Sequence, residues 1–187
     1  DWVTAGLRAL RQADDSPERA RAALCGVAEP VLRLRLFLAR TGDGLRGVAV
    51  GGLPTAWASD LRLTPSPEGA LGGALELGSS RRGAFPDDAD LWALYAAVEL
   101  DRPLEVIIEP LRVDHRIVGV FVGDAGPAAL PPQAAIGVRR LLAAAGPLVA
   151  LLGGRGNTAE LSLSPRPVPA PAPLDAADAV TRGGRLE

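Results

Sequence analysis

The 187-residue sequence suits one domain of ordinary size with chain to spare, and its 48% hydrophobic and 22% charged residues describe a packed core, not long disorder. A net charge of −2 carries no preference for nucleic acid or an acidic membrane. One cysteine, Cys25, excludes an intramolecular disulfide and a thiolate metal cluster, and one histidine, His115, would have to serve any Ser-His-Asp triad or Cys-His dyad. The basic residues are all Arg, and with the abundant Ala, Gly and Pro this reflects GC-rich coding more than selection for phosphate binding. The opening Asp1-Trp2-Val3 lacks a basic region followed by an apolar run. The apolar stretches are interrupted by Gly, Pro or Arg short of the ~20 residues of a membrane span. These features predict a cytoplasmic fragment with no membrane insertion.

In chain order, Val3, Leu7 and Leu10 predict a helix over 2–12. Asp15-Ser16-Pro17-Glu18 opens a second, with Ser16 as cap, Pro17 in the first turn and Glu18 at the positive end. It should stop near Glu29-Pro30. Leu32, Leu34, Leu36 and Leu38 then alternate with Arg33, Arg35 and Phe37, the two-residue repeat of a strand over 31–39. Gly42-Asp43-Gly44 turns the chain into a partner strand over 45–50. Residues 53–60, with Trp57, read as a short helix or turn, and 61–63 as a short strand. Ser66-Pro67-Glu68 starts a helix through Leu77 with Gly78 as its stop. Residues 79–86 read as a polar loop, and Asp87-Asp88 opens a helix through Val98. Strands over 104–111 and 116–122 follow, joined at Val113-Asp114-His115. Pro131-Pro132 opens a long closing helix to Leu152, with a kink expected at Gly146-Pro147 and a stop at Gly153-Gly154. From 155 to 187 the alternating Pro165, Pro167, Pro169, Pro171 and Pro173 mark an extended, Pro/Ala-rich linker or tail.

This order predicts an α+β domain over 1–154, a single antiparallel β-sheet flanked by helices, gathered mostly on one face. In the segment Ile107 to Val122 an apolar strand ends in Pro110-Leu111, turns, and returns as Ile117-Val118-Gly119-Val120. Pro110 belongs near a strand end, where a missing donor is tolerated, and Gly119 marks a bulge or a close backbone approach. This hairpin and the helix after Pro131 resemble the GAF domain, a small-molecule-sensing and dimerisation module, over residues 3–152. PAS-like, roadblock-like and longin-like sheets are neighbouring alternatives with fewer helices before the first hairpin.

The resemblance limits what can be carried over. Relatives that bind cyclic nucleotides carry a spread Asn-Lys-Phe-Asp-Glu set, and this chain has no Lys and a single Asn, Asn157, in the tail. Bilin attachment needs a cysteine after the middle strands, whereas Cys25 lies in an early apolar helix. Haem needs an axial ligand, and His115 falls at a hairpin tip. No cofactor or metal is expected. The resemblance places a pocket between Trp57 and Tyr95, with Trp57, Arg81, Arg82, Phe85, Trp92 and Tyr95 as candidate ligand contacts. Arg81-Arg82 are suited to an anion. Asp87, Asp88 and Asp90 cluster at a helix start, where the helix dipole accounts for them, and with Glu109 they suggest no catalytic pair. The expected function is a non-catalytic regulatory module acting by dimerisation or by docking a signalling protein, with an anionic-ligand sensor as alternative. Apolar Leu141, Leu142, Ala145, Leu148 and Val149 on the closing helix are the candidate interface of a homodimer.

Overall fold

The computed structural model describes residues 1–13, 16–42, 44–54 and 56–154. Asp15 of the second helix start, Asp43 of the first turn and the whole 155–187 tail lie outside the described residues. The elements are α1 (Trp2–Arg11), α2 (Pro17–Gly26), β1 (Leu34–Thr41), β2 (Gly44–Gly51), α3 (Ala56–Asp60), β3 (Arg62–Leu63), α4 (Ala70–Gly72), β4 (Arg81–Ala84), α5 (Ala89–Ala97), β5 (Glu105–Val113), β6 (Arg116–Asp124) and α6 (Pro132–Gly154). Ser16 caps α2, its hydroxyl accepting from Arg19 N, and Pro17 occupies the first turn. Helix α4 starts later than the sequence suggests and continues as a π turn, Gly73–Leu77, closed by left-handed Gly78.

The strands form one six-stranded sheet in the order β3-β2-β1-β6-β5-β4, every pair antiparallel. All four strongly predicted strands lie in it. The expected loop over 79–86 is corrected: Arg81–Ala84 pair with Glu105–Ile108 as the edge strand β4. This also explains Pro110, which stands within β5 and not at its end. The ladder with β4 stops at Ile108, so from Glu109 onward β5 is paired only with β6 and a proline is tolerated.

Helices cover both faces of the sheet, not mostly one. Leu34, Leu36, Leu38, Val106, Ile108, Val120 and Val122 point to the layer of α3, α4 and α5. The intervening Phe37, Ile107, Leu111 and Phe121 point to α1, α2 and α6. The alternation in β1 therefore separates two buried faces instead of a core from solvent. Arg35 is itself buried on the second face, donating to the carbonyls of Cys25 and Leu32.

Helix α6 runs unbroken through Pro147 and crosses the sheet. A Cβ at Gly146 would fall on the Arg112 carbonyl of β5, and one at Gly119 on the Leu38 carbonyl of β1, so both glycines mark close backbone approach. At the far end Arg46 Nη2 donates 3.1 Å bonds to the Leu152 and Gly153 carbonyls, supplying donors for the last turn from β2. Contrary to the reading of broken apolar stretches, α6 is long and apolar enough to cross a membrane by length and composition. In this fold its apolar side is core, buried against α1, α2 and the sheet.

Candidate functional site

The six candidate ligand contacts do not converge. Phe85 and Tyr95 are buried, with ring centroids 5.1 Å apart and edge-on. Trp92 meets Phe85 at 5.3 Å but is 42% exposed, so the two aromatics of α5 face different surroundings. Arg102 lies over both rings, 5.4 Å from Phe85 and 5.2 Å from Trp92. Trp57, on α3, packs against the same layer. Between this layer and the sheet, Leu71, Ala74, Leu75, Leu91 and Leu94 are buried and fill the space where the resemblance places a ligand.

The layer is locked by a carboxylate that does not stand out in the sequence. Asp124, at the end of β6, is buried and accepts three donors: Tyr95 Oη at 2.6 Å, Arg33 Nε at 2.9 Å and Gly126 N at 2.7 Å. Burial, then the neighbouring carboxylate, push the Tyr95 phenol far above its ordinary value. The Asp-x-Gly spacing of Asp124 and Gly126 is an Asx-turn signal, and could have marked the residue. The acidic cluster before α5 holds backbone in place. Asp88 caps the helix through Leu91 N and accepts from Ala70 N, and Asp90 accepts from Ser66 N.

Arg81 and Arg82 stand on the opposite side. They line an open groove of about 410 Å³ between α6 and the β4–β5 edge. Its floor is Ile107, Val138 and Leu142, and Ile136 stands at the rim, 65% exposed. Four guanidinium groups surround it: Arg81, Arg82, Arg139 and Arg140. Arg82 donates to the Leu130 carbonyl at 2.7 Å and Arg139 Nε to Glu109 Oε1 at 2.8 Å, while Arg81 and Arg140 make no such bond among the described residues. Glu109 lines the groove, is only 8% exposed, and its Oε2 is buried with no hydrogen-bond partner among the described residues. The site therefore combines an apolar floor, surplus positive charge and an unmet acceptor. Sequence alternation placed Glu109 in a strand but not beside α6.

The candidate interface residues are corrected. Leu141, Leu142, Ala145, Leu148 and Val149 are all 3% exposed or less, covered by α1, α2 and the sheet of the same chain. They form no surface seam, and the exposed ridge of α6 is instead Gln133, Ile136, Arg140, Ala143 and Pro147. Cys25 is half-buried; its thiol donates to Val50 O at 3.0 Å, and burial raises its pKa. His115 is exposed at the β5–β6 turn. Among the described residues no three His, Cys, Asp or Glu gather as metal ligands.

No protein-family model matches the sequence, and no curated protein is significantly similar to it. Solved structures do match. A methyl-accepting chemotaxis protein fragment, residues 122 to 287, superposes at a TM-score of 0.63 with 17% identity, over 83% of this chain and 99% of that one. The GAF domain of a Coxiella burnetii phosphoenolpyruvate-protein phosphotransferase also reaches 0.63, with 13% identity over 82% and 96%. A free methionine-R-sulfoxide reductase from Thermoplasma acidophilum follows at 0.56, with 17% identity over 73% and 96%. The chain has a GAF-like α+β fold, and at these identities the likeness concerns the fold.

Proposed function

We propose that this domain is a non-catalytic regulatory module that works by contact with protein, a second copy or a signalling partner. The observation that carries the reading is the contrast between the two faces of the sheet. The α3–α5 side, where a small molecule is expected, is filled by buried side chains and closed by Asp124. The α6 side offers an open groove with an exposed isoleucine and arginines at its rim, the mixture of apolar floor and polar rim that suits a protein surface. The fold also occurs in the GAF domain of a phosphoenolpyruvate-protein phosphotransferase and in a free methionine-R-sulfoxide reductase. Thiol-based sulfoxide reduction needs an accessible thiolate, whereas the Cys25 thiol is held protonated by burial and tied to a backbone carbonyl. An anionic-ligand sensor is the second reading, favoured by Arg81 and Arg82 lining the groove.

Native mass spectrometry of freshly purified protein separates these readings. A dimer at high micromolar concentration, converted to monomer by Ile136→Glu without loss of thermal stability, supports contact through the α6 ridge. A monomer carrying a stoichiometric retained anion would replace this reading with the sensor.

A further inference from the structure

The groove between α6 and the β4–β5 edge has two unmet demands. Among the described residues Arg81 and Arg140 lack anionic partners, and the buried Glu109 Oε2 lacks a donor. A buried acceptor without a donor is costly, so the groove favours an occupant that brings N–H groups as well as carboxylates. A simple anion brings only the second. A peptide brings both, and side chains for the apolar floor of Ile107 and Leu142.

The chain supplies such a peptide. Leu174-Asp175-Ala176-Ala177-Asp178-Ala179-Val180 carries two carboxylates, no cation and two branched apolar side chains. The geometry also fits. Helix α6 ends at Gly154, and its N-terminal half lines the groove. From Gly154 back to Ile136 the helix measures ~27 Å at the α-helical rise. The nineteen residues 155–173 reach at most ~65 Å, well over that distance. The chain beyond Gly154 is therefore long enough to bring Leu174 to Val180 to the groove.

We infer that residues 174–180 dock in cis into the α6–β4–β5 groove, with Asp175 and Asp178 facing Arg81 and Arg140 and a backbone N–H meeting Glu109. Only the regulatory consequence, that the tail competes with a partner for the same groove, rests on the function proposed above. The docking itself stands on the groove and the tail.

The test uses the full chain. A nitroxide is attached at Ala177→Cys in a Cys25→Ser background, and methyl signals of Ile107, Ile136 and Leu142 are followed by NMR. Docking broadens these three and spares Leu63 at the opposite sheet edge. Arg81→Glu with Arg140→Glu should lower the docked-to-free ratio on the order of tenfold. Adding Asp175→Arg and Asp178→Arg should restore the broadening. Neither arginine is buried, so folding is not at risk, and unchanged amide spectra check this. Absence of broadening, or broadening indifferent to charge reversal, overturns the inference. So does broadening only in mixtures of spin-labelled and isotope-labelled chains, which would mean docking between copies. None of these outcomes depends on the oligomer mass that tests the proposed function.

Discussion

Asp124 holds two segments of chain to one point, and its environment makes firm demands on substitution. Both carboxylate oxygens are engaged, by Arg33 and Gly126 on one and Tyr95 on the other. Asp124→Ala leaves the buried phenol without its acceptor and Arg33, partly exposed, with only the Asp101 carbonyl, and we expect a loss of about 2–3 kcal/mol in urea unfolding. Tyr95→Phe removes one hydrogen bond and should cost about 1–2 kcal/mol. The phenol is an acid whose folded-state pKa is raised, so its stabilising effect is intact below its unfolded value, about 10. Above that pH the unfolded chain binds fewer protons than the folded one, and stability falls as pH rises. Tyr95 is the only tyrosine. Ultraviolet titration should therefore show tyrosinate only as the protein unfolds, and Tyr95→Phe should flatten the alkaline loss. A phenol titrating near pH 10 in folded protein would contradict the geometry.

At the scale of elements, the β5–β6 hairpin turns through Asp114 and His115, both at positive φ, 46° and 71°. Two-residue turns of this kind favour Asn-Gly, since a side chain in the left-handed region costs about 1–2 kcal/mol. Asp114→Asn with His115→Gly should raise unfolding stability by about 1 kcal/mol, less the extra entropy glycine adds to the unfolded chain. Helix α6 shows the opposite constraint. Gly146→Ala drives a methyl into the Arg112 carbonyl and should cost about 1–3 kcal/mol, read from the urea midpoint. Edge strand β4 shows why some elements escape a sequence reading. Arg81-Arg82-Gly83-Ala84 has neither alternation nor β-branched residues, and its extended form comes from the β5 ladder. The closing helix, by contrast, is legible to its final glycines because apolar periodicity persists across Pro147.

At the scale of the whole molecule, one sheet carries both cores, so the two helical layers cannot separate without losing it. Truncation after Gly154 should leave one cooperative unfolding transition, with a urea m-value close to that of the full chain. Two transitions would show that the layers are independent. The sequence alone determined the strands with strong alternation, the capped helices and the GAF-like order, because these depend on local period and on residues with special backbone preferences. Tertiary structure decided what those patterns face. Leu141 to Val149 read as surplus apolar surface until α1 and α2 are seen to cover them. The aromatic residues from Trp57 to Tyr95 read as a ligand box until the leucines of α4 and α5 fill the space. Glu109 and Arg81 read as unrelated charges until β4 pairs with β5 and α6 crosses above them. A periodic pattern states that a side chain is buried or paired, but the partner is set by contacts distant in sequence, and only the folded chain brings those together.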